Sequence, residues 1–391
     1  MWRVAVQRAK TGNVRATILL ALLAASTLPA QIIVDPVKLR IILPEFEKDE
    51  VSLHCEVQPL KPALNYGFRF HAGYMITVPM NQFLGPNHGW SMLTRITPVE
   101  GDRKPVYLVS SMTLPPVPKT KAELRTGGGY LLGEGAYDVR FMMLDDAGRT
   151  CRKSWHVDVH RSHSEQKVQV NMPPETVWEL GLRGSRTLPA ATDDTAPVRL
   201  TIFLHTAPLF PRRTRMRPND MMTLMSTVSS LLERVPVRNV RLVLFNLDQQ
   251  KELYRKEDFL LQDMSQVSQA MASVELGAVD FQTLQNRRGH VDLIADLVNR
   301  EIGAQPPSDV VLFLGPGARH FDRVPQSILE KPTGHGPQFF YFQIAPIVRQ
   351  TAQPADTIKN AIARLGGKTI LIHTPGEFAK AIDRLEKSRY P

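Results

Sequence analysis

Along the second half of the chain, short apolar runs alternate with stretches in which apolar residues recur at helical spacing. The runs cover residues 198–204, 240–245, 310–314, 339–344 and 369–372, and the helical stretches 219–233, 264–274, 290–301, 355–365 and 375–385. Such alternation predicts a mostly parallel sheet wrapped by helices, an α/β doubly wound arrangement. Phe339-Phe340-Tyr341-Phe342 reads as a central strand, because a parallel strand covered on both faces is continuously apolar. Met221, Leu224, Met225, Val228, Leu231 and Leu232 place the methionine group on the buried face of the first helix. Gly366 suits the end of the 355–365 helix, and Thr374 with Pro375 the start of the last one. Ligands of such sheets bind beyond the carboxyl ends of the strands, so the loops there are where chemistry is to be sought.

The first half follows a period of two. Val51, Leu53, Cys55 and Val57 share one face of a predicted strand, and residues 64–78 and 106–112 are rich in aromatic and β-branched side chains. Residues 136–144 and 150–159 flank Asp145-Asp146-Ala147-Gly148, which predicts a β-hairpin. The Gly127-Gly128-Gly129 run reads as a flexible loop. Residues 161–196 are polar and carry prolines at 173, 174 and 189, as a connector would. The expected class is therefore multi-domain: an antiparallel β-sandwich over 35–160, a linker over 161–196, and an α/β doubly wound, mostly parallel domain over 197–391.

The 391-residue chain has a formal charge of +10. Arg3, Arg8, Lys10 and Arg15 precede a short apolar stretch at 16–25 and small residues at 26–30, the layout of a signal peptide over 1–30 cleaved after Ala30. An uncleaved anchor is the rival, against which a core of about ten residues is too short to span a bilayer. Export makes the mature chain secreted or periplasmic. Loss of those four cations, with no acid lost, leaves +6. The densest basic cluster, Arg212, Arg213, Arg215 and Arg217, has only Phe210 as an aromatic neighbour, which argues against nucleic acid. In an exported protein the two cysteines, Cys55 and Cys151, read as a disulfide, with two buried thiols as the alternative. Neither has zinc-site spacing.

The order of elements over roughly 185 residues, with the closing helix, Gly366-Gly367 turn, strand and final helix, resembles the von Willebrand factor type A domain family. That resemblance implies an Asp-x-Ser-x-Ser loop after the first strand, a Thr in a Gly-Thr turn, and an acid after the fourth strand, together holding a divalent cation. On that register His205 stands for the acid, Ala207 and Leu209 for the serines, His290 after Gly289 for the threonine, and Gly315-Pro316-Gly317 for the last acid. The hard oxygen ligands that Mg²⁺ or Ca²⁺ needs are missing at each position, so the resemblance implies the sheet without its metal. Gly135-Ala136-Tyr137-Asp138-Val139 with the acidic turn after it resembles late strands of bacterial immunoglobulin-like domains.

These features lead to a non-enzymatic protein that binds a protein or cell-surface partner, with no cofactor, no metal and no transmembrane span in the mature chain. The candidate binding face comprises His205, Thr206, Arg212, Arg213, Arg215, Arg217, His290, Asp292, Gly315, Gly317 and Arg319, whose charge suits acidic groups. A metal-dependent hydrolase is the alternative, with His205 and His290 as two ligands and Asp292 or His320 as a third. A third reading is an assembly subunit that binds through the β-sandwich. Gly315-x-Gly317 lacks the third glycine of a dinucleotide fingerprint, and no Gly-x-Ser-x-Gly elbow is present.

Overall fold

The structure, a computed structural model, describes residues 31–180, 197–274, 276, 285–330, 336–346 and 354–387. The predicted signal peptide and residues 181–196 of the predicted linker lie outside them. The chain divides into two compact units, the first formed by residues up to Ala63, Phe70–His160 and Met172–Leu180, the second by Leu64–Arg69, Arg161–Asn171 and the remainder.

The first unit contains β1 (Ile32–Val34), α1 (Leu43–Phe46), β2 (Glu56–Leu64), β3 (Phe70–Pro79), β4 (Gly89–Pro98), β5 (Val106–Thr113), β6 (Glu123–Leu132), β7 (Gly135–Asp145), β8 (Thr150–Val159) and β9 (Val177–Glu179). They form a five-stranded sheet, β1-β5-β4-β7-β8, and a four-stranded sheet, β2-β3-β6-β9. Tyr74 of β3 joins the two. Its ring lies 4.7 Å from Phe141 and 5.9 Å from Trp155, and its hydroxyl bonds Thr94 Oγ1 at 2.9 Å and accepts from Gln31 at 2.7 Å. Phe46 of α1 covers the other face of the five-stranded sheet with Leu39, Leu93, Tyr107 and Met142.

Two expectations change here. Residues 51–55 are irregular, and the strand begins only at Glu56. The Gly127-Gly128-Gly129 run is the middle of β6, paired with Tyr74 and its neighbours on β3, rather than a loop. A Cβ on Gly127 would lie 2.2 Å from the Tyr74 carbonyl oxygen and one on Gly128 2.5 Å from the Gln31 side chain, so close approach of chains excludes a side chain.

The second unit continues with β10 (Val198–His205), α2 (Pro218–Arg234), β11 (Val237–Asn246), β12 (Lys251–Lys256), α3 (Met264–Ala272), α4 (Gly289–Ile302), β13 (Val310–Gly315), β14 (Gln338–Ile344), α5 (Thr357–Arg364), β15 (Lys368–Ile372) and α6 (Pro375–Lys387). The strand order is β12-β11-β10-β13-β14-β15. β11, β10, β13, β14 and β15 pair in parallel, and β12 runs antiparallel to β11. Phe203, Phe245, Phe313 and Tyr341 pack against Val291, Ile294, Ile358 and Ile362 of α4 and α5.

The expected fold class is corrected on these findings. Among the described residues the chain is mostly β, with fifteen strands in three sheets against six α-helices, and its third sheet is mixed rather than a doubly wound parallel α/β domain. Only four residues separate β11 from β12, too few for a crossover connection, so β12 returns as a hairpin. Strands β1, β4, β6, β9 and β12 escaped the hydrophobic pattern. β12 is Lys-Glu-Leu-Tyr-Arg-Lys, a charged edge strand with one apolar side chain and one tyrosine.

The predicted linker is also partly structured. Val177–Glu179 pairs with β6, and Arg161–Asn171 belongs to the second unit with Leu64–Arg69. Within that unit Tyr66 and Phe68 pack on Phe378 of α6 at ring distances of 5.9 and 5.8 Å. Ser230 donates to the Tyr66 carbonyl at 2.6 Å, and Glu233 accepts from both Arg69, at 3.0 Å, and Asn171, at 2.8 Å. Arg69 and Glu233 are each 8% exposed, and removal of either partner would leave a buried charge uncompensated.

The disulfide joins Cys55 to Cys151 across 96 positions. Closing a loop of that length restricts the unfolded chain by roughly 4–5 kcal/mol in the loop-entropy account. Denaturant titration of the first unit's transition is expected to move to lower denaturant by about that free energy when the protein is reduced. An unchanged midpoint would show that the link does not stabilise the fold.

Candidate functional site

The parallel strands β10, β11 and β13 all finish at one edge, and the side chains beyond them meet there. β10 ends in His205, which is 2% exposed. Its Nδ1 lies 2.9 Å from the Pro316 carbonyl oxygen, so Nδ1 carries the proton and donates. Nε2 is then an acceptor, buried and without a hydrogen-bond partner among the described residues. The ring stacks on Phe245, 5.2 Å away. Burial holds the His205 pKa below its ordinary value, outweighing the Pro316 hydrogen bond and the acids Asp248 and Asp356, and keeps the imidazole neutral.

The 315–320 loop is fixed from three sides. Gly315 has φ +135°, and a Cβ there would lie 2.6 Å from the His205 carbonyl oxygen. Asp356, the N-cap of α5, accepts from Lys359 N at 2.8 Å and from Ala318 N at 3.0 Å, with the Tyr341 hydroxyl at 3.4 Å. Burial pushes the Asp356 carboxyl up despite these donors. A Cβ on Gly317 would collide with the Gln343 amide at 2.3 Å. Arg319 donates through Nη2 to the Arg213 carbonyl, which ties this loop to the one after β10.

His320 then falls on His290, the second residue of α4. Their rings stack with centroids 4.1 Å apart and planes 17° from parallel. His290 Nε2 lies 2.9 Å from Asp322 Oδ2, and His320 Nε2 lies 3.2 Å from Asp248 Oδ1. Burial and the neighbouring His320 lower the His290 pKa, against the pull of Asp322. At Asp248 burial raises the carboxyl, but His320 and Arg319 beside it prevail and its pKa is lowered.

Of the residues proposed from sequence, His205, His290, Gly315, Gly317, Arg213 and Arg319 are brought together in this junction. Thr206 is not presented: it is buried, with its hydroxyl donating to the Phe245 carbonyl at 3.0 Å. Arg213 lies 3.8 Å over the Phe210 ring and 3.7 Å from Asp220, and Arg319 lies 3.8 Å from Asp248. Arg212, Arg215 and Arg217 are exposed. Asp292 is exposed beside Asn286, outside the histidine group. Asp248, Asp322 and Asp356 went unnoticed in sequence. Asp248 follows β11 at the same edge as His205, and Asp322 stands two residues after His320, the signals that could have found them.

No protein-family model matches this chain, and no curated protein matches it. Among solved structures it is similar to the ApaA protein from Bordetella pertussis, at 13% identity over 29% of this chain and 100% of that one, with a TM-score of 0.18. The sporulation control protein Spo0M from Bacillus subtilis gives 10% identity over 29% of this chain and 51% of its own, with a TM-score of 0.16. A β-glucuronidase from Bacteroides uniformis gives 9% identity over 80% and 38%, with a TM-score of 0.19. Scores this low establish no common fold.

Gly315→Ala is expected to destabilise the second unit by about 2–4 kcal/mol, since it adds both a left-handed-region penalty and a clash with backbone. Thermal unfolding measures this, and a loss under about 0.5 kcal/mol would reject it. His205, His290 and, in the first unit, His71 all have pKa values lowered by burial from 6.5. The unfolded chain therefore binds protons first as pH falls, and stability present above 6.5 is lost between 6.5 and the lower folded values. A Tm series should show that decline. His205→Asn, which keeps a donor for Pro316, should make it shallower; an identical slope would exclude His205 as a contributor.

Proposed function

We propose that this is an exported, non-enzymatic interaction protein whose second unit binds a protein or cell-surface partner bearing acidic groups. The convergence of the 205–217, 248 and 315–322 segments with the start of α4 on one sheet edge, rimmed by exposed arginines, carries this reading. Arg212, Arg215 and Arg217 are exposed at the rim. Arg213 and Arg319 hold the loops in place through Asp220, Asp248 and the Arg213 carbonyl. Division into cations that build the face and cations that stand on it suits recognition of an acidic surface, where rim charges act mainly on encounter rate and salt dependence.

Export is supported by the disulfide, since such links persist in oxidising compartments, and by the basic and apolar layout of residues 1–30. No helix among the described residues is long and apolar enough to cross a membrane. The buried, neutral state of His205 and its donation to Pro316 support a packing role for the residue that stands where the family resemblance has its first acid.

A photo-crosslinking residue in place of Arg212 is expected to give a discrete adduct in cells of the source organism, and the same residue in place of exposed Lys380 on α6 none. Adding Arg217→Glu to the Arg212 probe should cut the yield about tenfold at low salt. Equal yields from both positions, or none from Arg212, would refute the proposal.

A further inference from the structure

We infer that His290, His320 and Asp322 form a binding site for a divalent d-block cation of the zinc type. Each offers one ligand atom, and these atoms lie within 4.8 Å of one another. The site goes beyond the partner-binding reading and does not depend on it. It also differs from the set the sequence suggested, in which His205 and His290 were grouped with Asp292 or His320: His205 and Asp292 drop out and Asp322 enters.

The donor set decides the class of ion. Two imidazoles and one carboxylate suit Zn²⁺, Co²⁺ or Ni²⁺, whereas Mg²⁺ and Ca²⁺ call for oxygen alone. His290 Nε2 and Asp322 Oδ2 are held 2.9 Å apart by a hydrogen bond, a little inside the roughly 3.3–3.4 Å edge of a tetrahedral site, so this pair needs to open only slightly. Bonds of about 2.0–2.1 Å require pairs further apart than such an edge to close and the stacked rings to tilt apart. The parts that must move can do so: the Asp322 side chain is 60% exposed, and His320 sits on a loop. His290 is 3% exposed in its side chain and anchored in α4, so it forms the fixed corner.

One further group fits such a site, and one demand remains. Asp248 Oδ1 stands 3.2 Å from His320 Nε2 but is not aligned to accept from it, and a small tilt of the ring would make the hydrogen bond by which a carboxylate orients a ligating imidazole. With Nε2 on the ion, His290 Nδ1 would carry the proton; it is buried without a hydrogen-bond partner among the described residues, so the loop must bring an acceptor to it when the site closes. Three protein ligands leave a fourth position open to water.

The test uses the full chain, purified without an affinity tag and dialysed against Zn²⁺, with Co²⁺ absorbance reporting coordination. The expected result is about one equivalent of Zn²⁺ and a Co²⁺ spectrum of tetrahedral intensity. His320→Ala and Asp322→Asn should each abolish both, with circular dichroism unchanged, and Asp248→Asn should weaken binding by ~10–100-fold. Asp322→Asn changes an exposed group and so keeps the test sound where a buried substitution unfolds the chain. Asp292→Asn should have no effect. Less than about a tenth of an equivalent in the unaltered protein, or retention unchanged by both His320→Ala and Asp322→Asn, would overturn the assignment. Loss with Asp292→Asn would overturn it equally. The crosslinking result from Arg212 is independent of these outcomes.

Discussion

The second unit depends on the place where the ends of β10 and β13 touch. Gly315 lies so close to the His205 carbonyl that no side chain fits, and its φ of +135° turns the chain into the Pro316 carbonyl that His205 Nδ1 then caps. The course of the 315–322 loop follows from that turn. Ala318 N is presented to buried Asp356, Arg319 reaches the Arg213 carbonyl, and His320 is delivered onto the face of His290. A hydrogen bond at a strand end, worth about 1 kcal/mol by itself, thus helps to hold a loop that meets residues of four other segments.

Charge at this edge is sorted by depth. His205 and His290 are kept neutral by burial, and Asp356 is pushed towards its neutral form for the same reason. Asp248, nearer the rim, goes the other way because His320 and Arg319 stand beside it. Two carboxylates a short distance apart in the fold therefore have opposite shifts, set by environment and not by type. The outer layer, with Arg212, Arg215, Arg217 and Asp322, faces water and carries the charge that a partner or an ion would meet.

The boundaries of the two units do not run with the chain. Leu64–Arg69 lies between two strands of the first unit's sheet yet belongs to the second, where Tyr66 and Phe68 pack on Phe378. In sequence these aromatics read as one strand with residues 70–78, because a period-two pattern cannot tell which core a side chain enters. The connector shows the same effect: polar, proline-rich residues 161–180 divide between the units, with Glu233 holding Asn171 and three residues pairing with β6.

What the sequence by itself determined is what local spacing encodes. The helices α2 to α6 lie where apolar residues recur at helical period. Gly366, at φ +69°, and Thr374, accepting from Glu377 N at 3.2 Å, end and begin helices as their chemistry predicts. The alternating strands of the β7–β8 hairpin were legible for the same reason, since a turn and its flanks lie within a few residues of each other. Charged β12 carried no such pattern, so the mixed character of the third sheet was not legible. Gly127-Gly128-Gly129 shows the limit most plainly, because its glycines answer to Tyr74 and Gln31, fifty or more residues away. Likewise nothing local links His290 to Asp322 or His320 to Asp248. Those neighbours were decided by tertiary structure alone, through strand register, the four-residue turn into β12, and the one strand end at which only glycine fits.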